Sequence, residues 1–256
     1  EDQEGNLWVA TRGGLSRYDG ERWTTFTREQ GLPHNEVYTV FVDRQGYLWA
    51  GSAAGGIMRY EGRNRTNFTE QEGLASDGVL SILEDRTGNL WFGTRSGVSR
   101  YDGKQMASFT TENGLSQNFV NTMLQDQQDN LWFGTHDGKL SRFDGKTFAN
   151  FTTANAAGMV QGLVTSLLED NKGQIWIGTQ GVLSRYDGRE IVDFTTKDGL
   201  AHGLITCLLE DKKGQIWIGT QGGLSRHNGE AFVTFTVEDG LAHSKITCLL
   251  EDKKGQ

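Results

Sequence analysis

Residues 84–94 read Glu84-Asp85-Arg86-Thr87-Gly88-Asn89-Leu90-Trp91-Phe92-Gly93-Thr94, and the aspartate and tryptophan of this pattern return along the whole chain, with the acidic pair and the glycine in most repeats. Trp8, Trp49, Trp91, Trp132, Trp176 and Trp217 follow one another at intervals of 41, 42, 41, 44 and 41 residues. A fixed period of this length marks a repeat in which each unit is one supersecondary element. Within a period the apolar run Val79 to Leu83 precedes the acidic pair. After the tryptophan come Gly97-Val98-Ser99-Arg100-Tyr101, Asp102-Gly103, Ser108-Phe109-Thr110-Thr111 and a Gly114-Leu115 loop. Asp102-Gly103 between two β-prone runs signals a hairpin, because glycine accepts the positive φ of such turns. Asp85-x-x-Gly88 signals the turn before it. Each period therefore holds four strands: A (the apolar run), B (tryptophan), C (Ser-Arg-Tyr) and D (Phe-Thr).

Strand A is almost continuously apolar, as in Leu163-Val164-Thr165-Ser166-Leu167-Leu168, which requires cover on both faces, whereas C and D alternate and carry charge. A is innermost and D outermost. Units that cannot bury their own faces must stack, so the chain is expected to be all-β: a six-bladed β-propeller of four-stranded antiparallel blades, one domain over residues 1–256. The A–B turn occurs at Asp2 and again at Asp252. The ring is expected to close by pairing of N- and C-terminal strands, with strand A from residues 245–251 joining strands B to D from residues 6–27 and removing the exposed sheet edges. Six repeats cut from an array of seven or more are the alternative.

Composition agrees with short strands and tight turns: 35 Gly, one Pro and 10% aromatics in 256 residues. The net charge of −8, from 25 basic and 33 acidic residues, comes with no basic block, which argues against nucleic acid as a partner. No apolar run approaches the roughly 20 residues needed to cross a bilayer, so no membrane segment is expected. Glu1-Asp2-Gln3-Glu4-Gly5 is not a basic-then-apolar leader; a signal peptide is expected to be absent or removed with upstream sequence. Cys207 and Cys248 stand one period apart in Ile-Thr-Cys-Leu-Leu-Glu-Asp, as small core residues rather than a disulfide, since equivalent positions of successive repeats rarely come within the required ~7 Å.

The run from Glu84 to Thr94 followed by Ser99-Arg100-Tyr101-Asp102-Gly103, with the Gly-Leu loop before strand A as in Gly31-Leu32-Pro33-His34-Asn35, resembles the two-component regulator propeller repeat. The resemblance spans all six units. It implies a sensor-type propeller of hybrid two-component regulators, periplasmic or extracellular, that responds to oligosaccharides. In that family the propeller is joined to further blades, a β-sandwich, a membrane segment and a kinase.

The strand order puts the D–A loops and B–C turns at one edge of each blade and the A–B and C–D turns at the other. The second edge repeats almost unchanged and reads as structural: each aspartate caps its own turn. Each tryptophan is a wedge between blades whose indole finds a backbone acceptor. Arg17, Arg59, Arg100, Arg142, Arg185 and Arg226 bond the nearby turn carboxylate with their stems over Tyr or Trp.

The first edge varies, and a specific site on a repeated scaffold belongs where the repeats differ. One loop position holds His34, Ser76, Gln117, His202 and His243 in turn; in a closed ring His202, His243 and His34 would form an arc. That position reads either as ligand contact or as a loop bond inherited by duplication. The B–C turns add Arg12, Arg95, His136, Gln180 and Gln221, and the D–A loops add Asn35, Asp77 and Asn118. Such amides, Arg and His suit the hydroxyls or carboxylates of an oligosaccharide. The longer loop at residues 153–162, with Met159 and Val160, reads as a partner-contacting lip or as drift. Enzyme signatures are missing, and no metal or cofactor is expected. The expected function is a non-catalytic ligand-binding propeller. The alternatives are a structural, protein-interacting or self-associating propeller, an excised fragment without its own ligand, and more remotely a lyase using His34 with Glu36 or Asp77.

Overall fold

Every tryptophan repeat folds as an antiparallel meander in the computed structural model, which describes residues 1–62, 64–151 and 162–252. The first blade holds β1 (Leu7–Thr11), β2 (Gly14–Tyr18) and β3 (Trp23–Phe26). The second holds β4 (Val37–Val42), β5 (Leu48–Ser52), β6 (Ile57–Glu61) and β7 (Asn64–Phe68). The third holds β8 (Val79–Glu84), β9 (Leu90–Thr94), β10 (Val98–Tyr101) and β11 (Met106–Phe109). The fourth holds β12 (Val120–Gln125), β13 (Leu131–Thr135), β14 (Leu140–Phe143) and β15 (Phe148–Phe151). The fifth holds β16 (Val164–Glu169), β17 (Ile175–Thr179), β18 (Leu183–Tyr186) and β19 (Ile191–Phe194), and the sixth β20 (Ile205–Glu210), β21 (Ile216–Thr220), β22 (Leu224–His227) and β23 (Phe232–Phe235). Strands pair in chain order within each sheet, as the pattern of A to D requires. The chain has two compact units, residues 1–123 and 124–256, with β12 straddling the division.

The A–B turn is organised by its aspartate. Asp85 Oδ1 accepts from the backbone N–H groups of Thr87 and Asn89, both at 2.9 Å, while Oδ2 accepts from Trp91 Nε1 at 2.8 Å. The same indole-to-carboxylate bond joins Trp8 to Asp2, Trp49 to Asp43, Trp132 to Asp126, Trp176 to Asp170 and Trp217 to Asp211, at 2.7–2.9 Å. The expected backbone acceptor is thus replaced by a carboxylate, because the turn presents its oxygen directly over the end of strand B. In register, Trp91 faces Leu83 on β8 and Arg100 on β10. The strand C guanidinium lies over the indole in all six blades, 5.5–5.9 Å from the ring centroid, a cation–π contact in addition to the expected packing of its stem. Arg59 also pairs with Glu61 at 2.5 Å.

The core lies between successive blades. Trp49 stacks on Phe68 of its own blade and meets Phe92 and Tyr101 of the next, at 5.5–5.8 Å. Trp132 does the same with Phe151 and Tyr186. These indoles are the expected wedges, 1–2% exposed. The glutamate of the acidic pair has a separate task. Glu84 accepts the backbone N–H of Arg44 in the preceding blade (3.0 Å), Glu169 that of Gln127 (2.8 Å) and Glu210 that of Asn171 (3.1 Å). Asp therefore closes its own turn while Glu staples it to the neighbouring one.

Two features depart from expectation. The first sheet has three strands, and residues 245–250 form no strand. Those residues are held by the sixth blade instead: Ile246 N–H donates to Thr220 O (2.9 Å), its carbonyl accepts from Thr206 Oγ1 (2.7 Å), and Glu251 accepts the N–H of Lys212. The A–B turn of the first blade is already filled by Asp2. Leu7, Val9 and Leu250 are exposed, as is Cys248, expected to be buried; both cysteines are free. The second departure is a 3₁₀ turn after strand D, as at Arg28–Gln30. Thr27, Thr69, Thr110, Thr195 and Thr236 cap these turns in capping boxes. Gly31, at φ 92°, ends the first of them in the left-handed region that a side chain would strain. The signal was present as Thr-x-x-Gln, Glu, Asn or Asp.

Burial raises the Asp85 pKa, but hydrogen bonds from Thr87, Trp91 and Asn89 outweigh it and hold the carboxyl below its ordinary 3.8. A depressed pKa stabilises the fold above the ordinary value, and this is lost as pH falls through the folded-state value. Asp85→Ala should cost about 3 kcal/mol in urea denaturation at pH 7, since it orphans a buried indole N–H and two backbone donors, with Asp85→Asn costing roughly half as much. An Asp85→Asn protein as stable as the parent at pH 7 would contradict this account.

Candidate functional site

The variable edge contains two local groups, one in each unit. In the first, Arg12 in the β1–β2 turn reaches Glu36 at 3.6 Å with its side chain 91% exposed. His34 Nδ1 accepts the Glu36 backbone N–H at 3.0 Å. Arg95, in the β9–β10 turn, donates from Nη2 to the Tyr38 hydroxyl at 3.2 Å and lies over the Tyr38 ring. Residues 34–38 thus gather Arg12, His34 and Arg95 along one strip of unit 1. In the second group, Leu204 is the hub: its N–H donates to His202 Nδ1 (3.0 Å), its carbonyl accepts from Gln221 N–H (3.1 Å), and it forms an isolated bridge with Gln180. The side chains of Gln180, His202 and Gln221 are exposed around it.

The histidine position has one local role wherever it is seen. His34, His202 and His243 accept through Nδ1 from the backbone N–H two residues on, at 2.9–3.0 Å. Ser76 and Gln117 make the same bond to Gly78 and Phe119. A position filled interchangeably by His, Ser and Gln is a loop cap. The histidine keeps a surplus, since the tautomer that accepts at Nδ1 carries a proton on Nε2 and presents it as a donor. Asn35, Asp77 and Asn118 are also tied locally, each accepting through Oδ1 from the first N–H of the 3₁₀ turn in its own loop at 2.8–2.9 Å. His136 is exposed in the β13–β14 turn. The loop at residues 153–162 lies, but for its last residue, outside the described residues. Among the described residues no three His, Cys, Asp or Glu side chains are placed to hold a metal ion.

His227 was not singled out by its sequence position, where the other blades carry Tyr or Phe. It is 4% exposed and packs on Phe232 (4.6 Å), Trp176 (5.4 Å) and Phe194 (5.8 Å). Burial, then the charges of Arg185 and Lys172, hold its pKa below the ordinary 6.5. The departure from Ser-Arg-Tyr at Ser225-Arg226-His227 was the available signal.

The two component regulator propeller family model matches residues 31–54, 73–96, 114–137, 158–181 and 199–222. Among solved structures, the chain is similar to the extracellular domain assigned to a hybrid two component system of B. thetaiotaomicron, with 24% identity and a TM-score of 0.81 over 100% of this chain and 36% of that one. It therefore spans about a third of that domain's length. It is also similar to PorZ, a surface component of the type-IX secretion system of Porphyromonas gingivalis (18% identity, TM-score 0.72, 98% of this chain and 43% of that one). A third likeness is to virginiamycin B lyase from Staphylococcus aureus (14% identity, TM-score 0.71, 96% and 84%). At such identities the likeness carries the propeller fold and nothing of activity. No curated protein sequence matches the chain.

Two outcomes follow from the local geometry. His34→Gln and His202→Ser should leave stability within about 0.5 kcal/mol of the parent, because the new side chains can make the same cap. His227 has a lowered folded-state pKa, so its contribution is complete above pH 6.5 and is lost as pH falls below that value; the fall in melting temperature between pH 7 and pH 5 should be smaller in His227→Phe. An identical pH profile for the two proteins would refute the second.

Proposed function

We propose that this chain, which belongs to the two-component regulator propeller family, is a non-catalytic sensor propeller that recognises an oligosaccharide or a similar polar ligand on the edge formed by its D–A loops and B–C turns. The observation that carries this reading is the contrast between the two edges. Side chains of the A–B turns are occupied by their own backbone and by the neighbouring blade. Arg12, by contrast, is almost fully exposed, and Arg95 rests on a single hydroxyl and an aromatic face. Exposed guanidinium, imidazole and amide donors at close quarters are what sugar hydroxyls and carboxylates require, and a rigid sheet scaffold fixes them at little ordering cost.

In this reading the likeness to an extracellular domain supports a location outside the cytoplasm.

A thermal-shift screen of neutral and acidic oligosaccharides at millimolar concentration tests the proposal. A ligand at 100 times its dissociation constant should add about 2.7 kcal/mol, several degrees in melting temperature for a chain of this length. Arg12→Ala and Arg95→Ala should lower the affinity of that ligand at least tenfold without lowering the unliganded melting temperature. A flat panel, or a shift that both variants retain, would turn the reading towards a scaffold propeller that meets protein.

A further inference from the structure

Strand C runs into Tyr-Asp-Gly or Phe-Asp-Gly in four of the six blades, but in the sixth it runs into His227-Asn228-Gly229. Two substitutions coincide there, and they reverse the chemistry of the turn. Tyr18, Tyr101 and Tyr186 donate their hydroxyls to the carbonyl of the glycine two residues on. His227 instead accepts: the Gly229 N–H donates to its Nδ1 at 3.2 Å.

Asn228 stands where the other turns hold an aspartate. Asp19, Asp102, Asp144 and Asp187 accept through Oδ1 from the backbone N–H groups two and three residues on, at 2.7–3.0 Å. Those bonds hold all four carboxyls below their ordinary 3.8. Asn228 Oδ1 accepts from the matching N–H groups of Glu230 and Ala231, at 3.0 Å each. A carboxylate is the stronger acceptor for such donors, so this turn suits a charge that asparagine lacks. Asn228 and Gly229 are exposed to solvent, whereas His227 is buried. Lys172 of the fifth blade brings its Nζ to 3.8 Å from where a Cβ on Gly229 would stand.

We propose that Asn228 is a self-modifying position, whose side-chain amide is converted to a carboxylate by attack of the Gly229 nitrogen with His227 as general base. The Gly229 nitrogen bonds to Asn228 Cγ and closes a five-membered succinimide, while its proton passes to His227 Nδ1. Oδ1 gains negative charge as Cγ becomes tetrahedral, and the Glu230 and Ala231 N–H groups are already directed at it. The Cγ–Nδ2 bond then breaks, and the proton leaves His227 with the departing nitrogen as ammonia. A solvent water opens the ring. Breaking the bond from the Gly229 nitrogen to Cγ leaves aspartate, and breaking the bond to the Asn228 backbone carbonyl carbon leaves isoaspartate. The sum is amide plus water giving carboxylate plus ammonium, with no change of oxidation state.

The surroundings serve each step. Glycine has no Cβ to obstruct the approach of its nitrogen. Burial, then the charges of Arg185 and Lys172, keep the imidazole neutral at pH 7, able to take the proton and poorly able to retain it. Asp170 borders the same groove as those two cations. The aspartate product restores the residue that four other blades carry. The second Asn-Gly pair, Asn113-Gly114, is set differently: Asn113 Oδ1 accepts the Thr110 N–H in a capping box, and the Gly114 N–H donates to the Thr111 carbonyl.

Incubation of the folded protein in neutral buffer, followed by peptide mass mapping and enzymatic methylation of isoaspartate, tests the proposal. The Asn228 peptide should gain about one mass unit. Its conversion should run at least tenfold faster than that of the Asn113 peptide in the same sample. His227→Phe, which installs the residue of the fourth blade, should slow conversion at Asn228 at least tenfold and leave Asn113 unchanged. His227→Tyr takes its place should the phenylalanine protein lack the parent near-ultraviolet circular dichroism. The ratio of parent to variant rate should shrink between pH 7 and pH 5, as the imidazole protonates. Equal rates at Asn228 and Asn113, a folded variant that converts as fast as the parent, or a ratio independent of pH would each overturn the proposal.

Discussion

The bond from indole to turn carboxylate is the constraint on which the rest of this structure depends. A buried indole N–H needs an acceptor, and a four-residue turn needs its backbone donors satisfied; one aspartate meets both needs in each blade. The bond fixes the height of strand B against the turn. That in turn sets the tryptophan face that receives the arginine of strand C on one side and the phenylalanine of strand D on the other. Because the carboxylate is charged and its partners are largely enclosed, its hydrogen bonds are stronger than neutral ones. The glutamate beside it adds a bond across the blade junction, so a two-residue motif links turn, strand and neighbour.

This economy at one edge is what frees the other. A recurrent aspartate and tryptophan complete the A–B turns, whereas the D–A loops rely on a threonine cap, a left-handed glycine and a buried leucine, as in Thr27, Gly31 and Leu32. With the loop backbone held by those three, the positions that follow can vary. His, Ser and Gln exchange at one position because all three can accept from the same N–H, and the exposed remainder of each side chain is what differs from blade to blade. A motif that loses one member also has a local effect. Valine at position 42 withdraws the inter-blade staple, and the junction there is open where its counterpart between blades five and six is closed.

The placement of residues 245–251 follows from the same kind of bond. Residues 245–251 carry the composition of a strand A and occupy its place against the sixth blade, through Ile246 and Glu251. A side chain on Gly219 would collide with Ile246 as one on Gly178 would with Ile205, so the segment packs against the sixth blade in the place of an innermost strand.

Much of the molecule was legible in the amino-acid sequence, because the period, the strand letters and the turn glycines report local physics that every repeat shares. Tryptophan spacing marked six repeats, and hydrophobic alternation ordered the strands within each. The interblade wedge was readable from the tryptophans, since an apolar ring of that size must be covered. What only the tertiary structure decided were relations between repeats and choices among equally competent partners: that the indole takes a carboxylate rather than a carbonyl, that Glu84 crosses to Arg44, that His202 is held by Leu204, and that Arg95 meets Tyr38. Each depends on where a neighbouring blade places an atom to within an ångström or so. Residue type fixes which bonds a side chain is able to make, and only packing selects the one it makes.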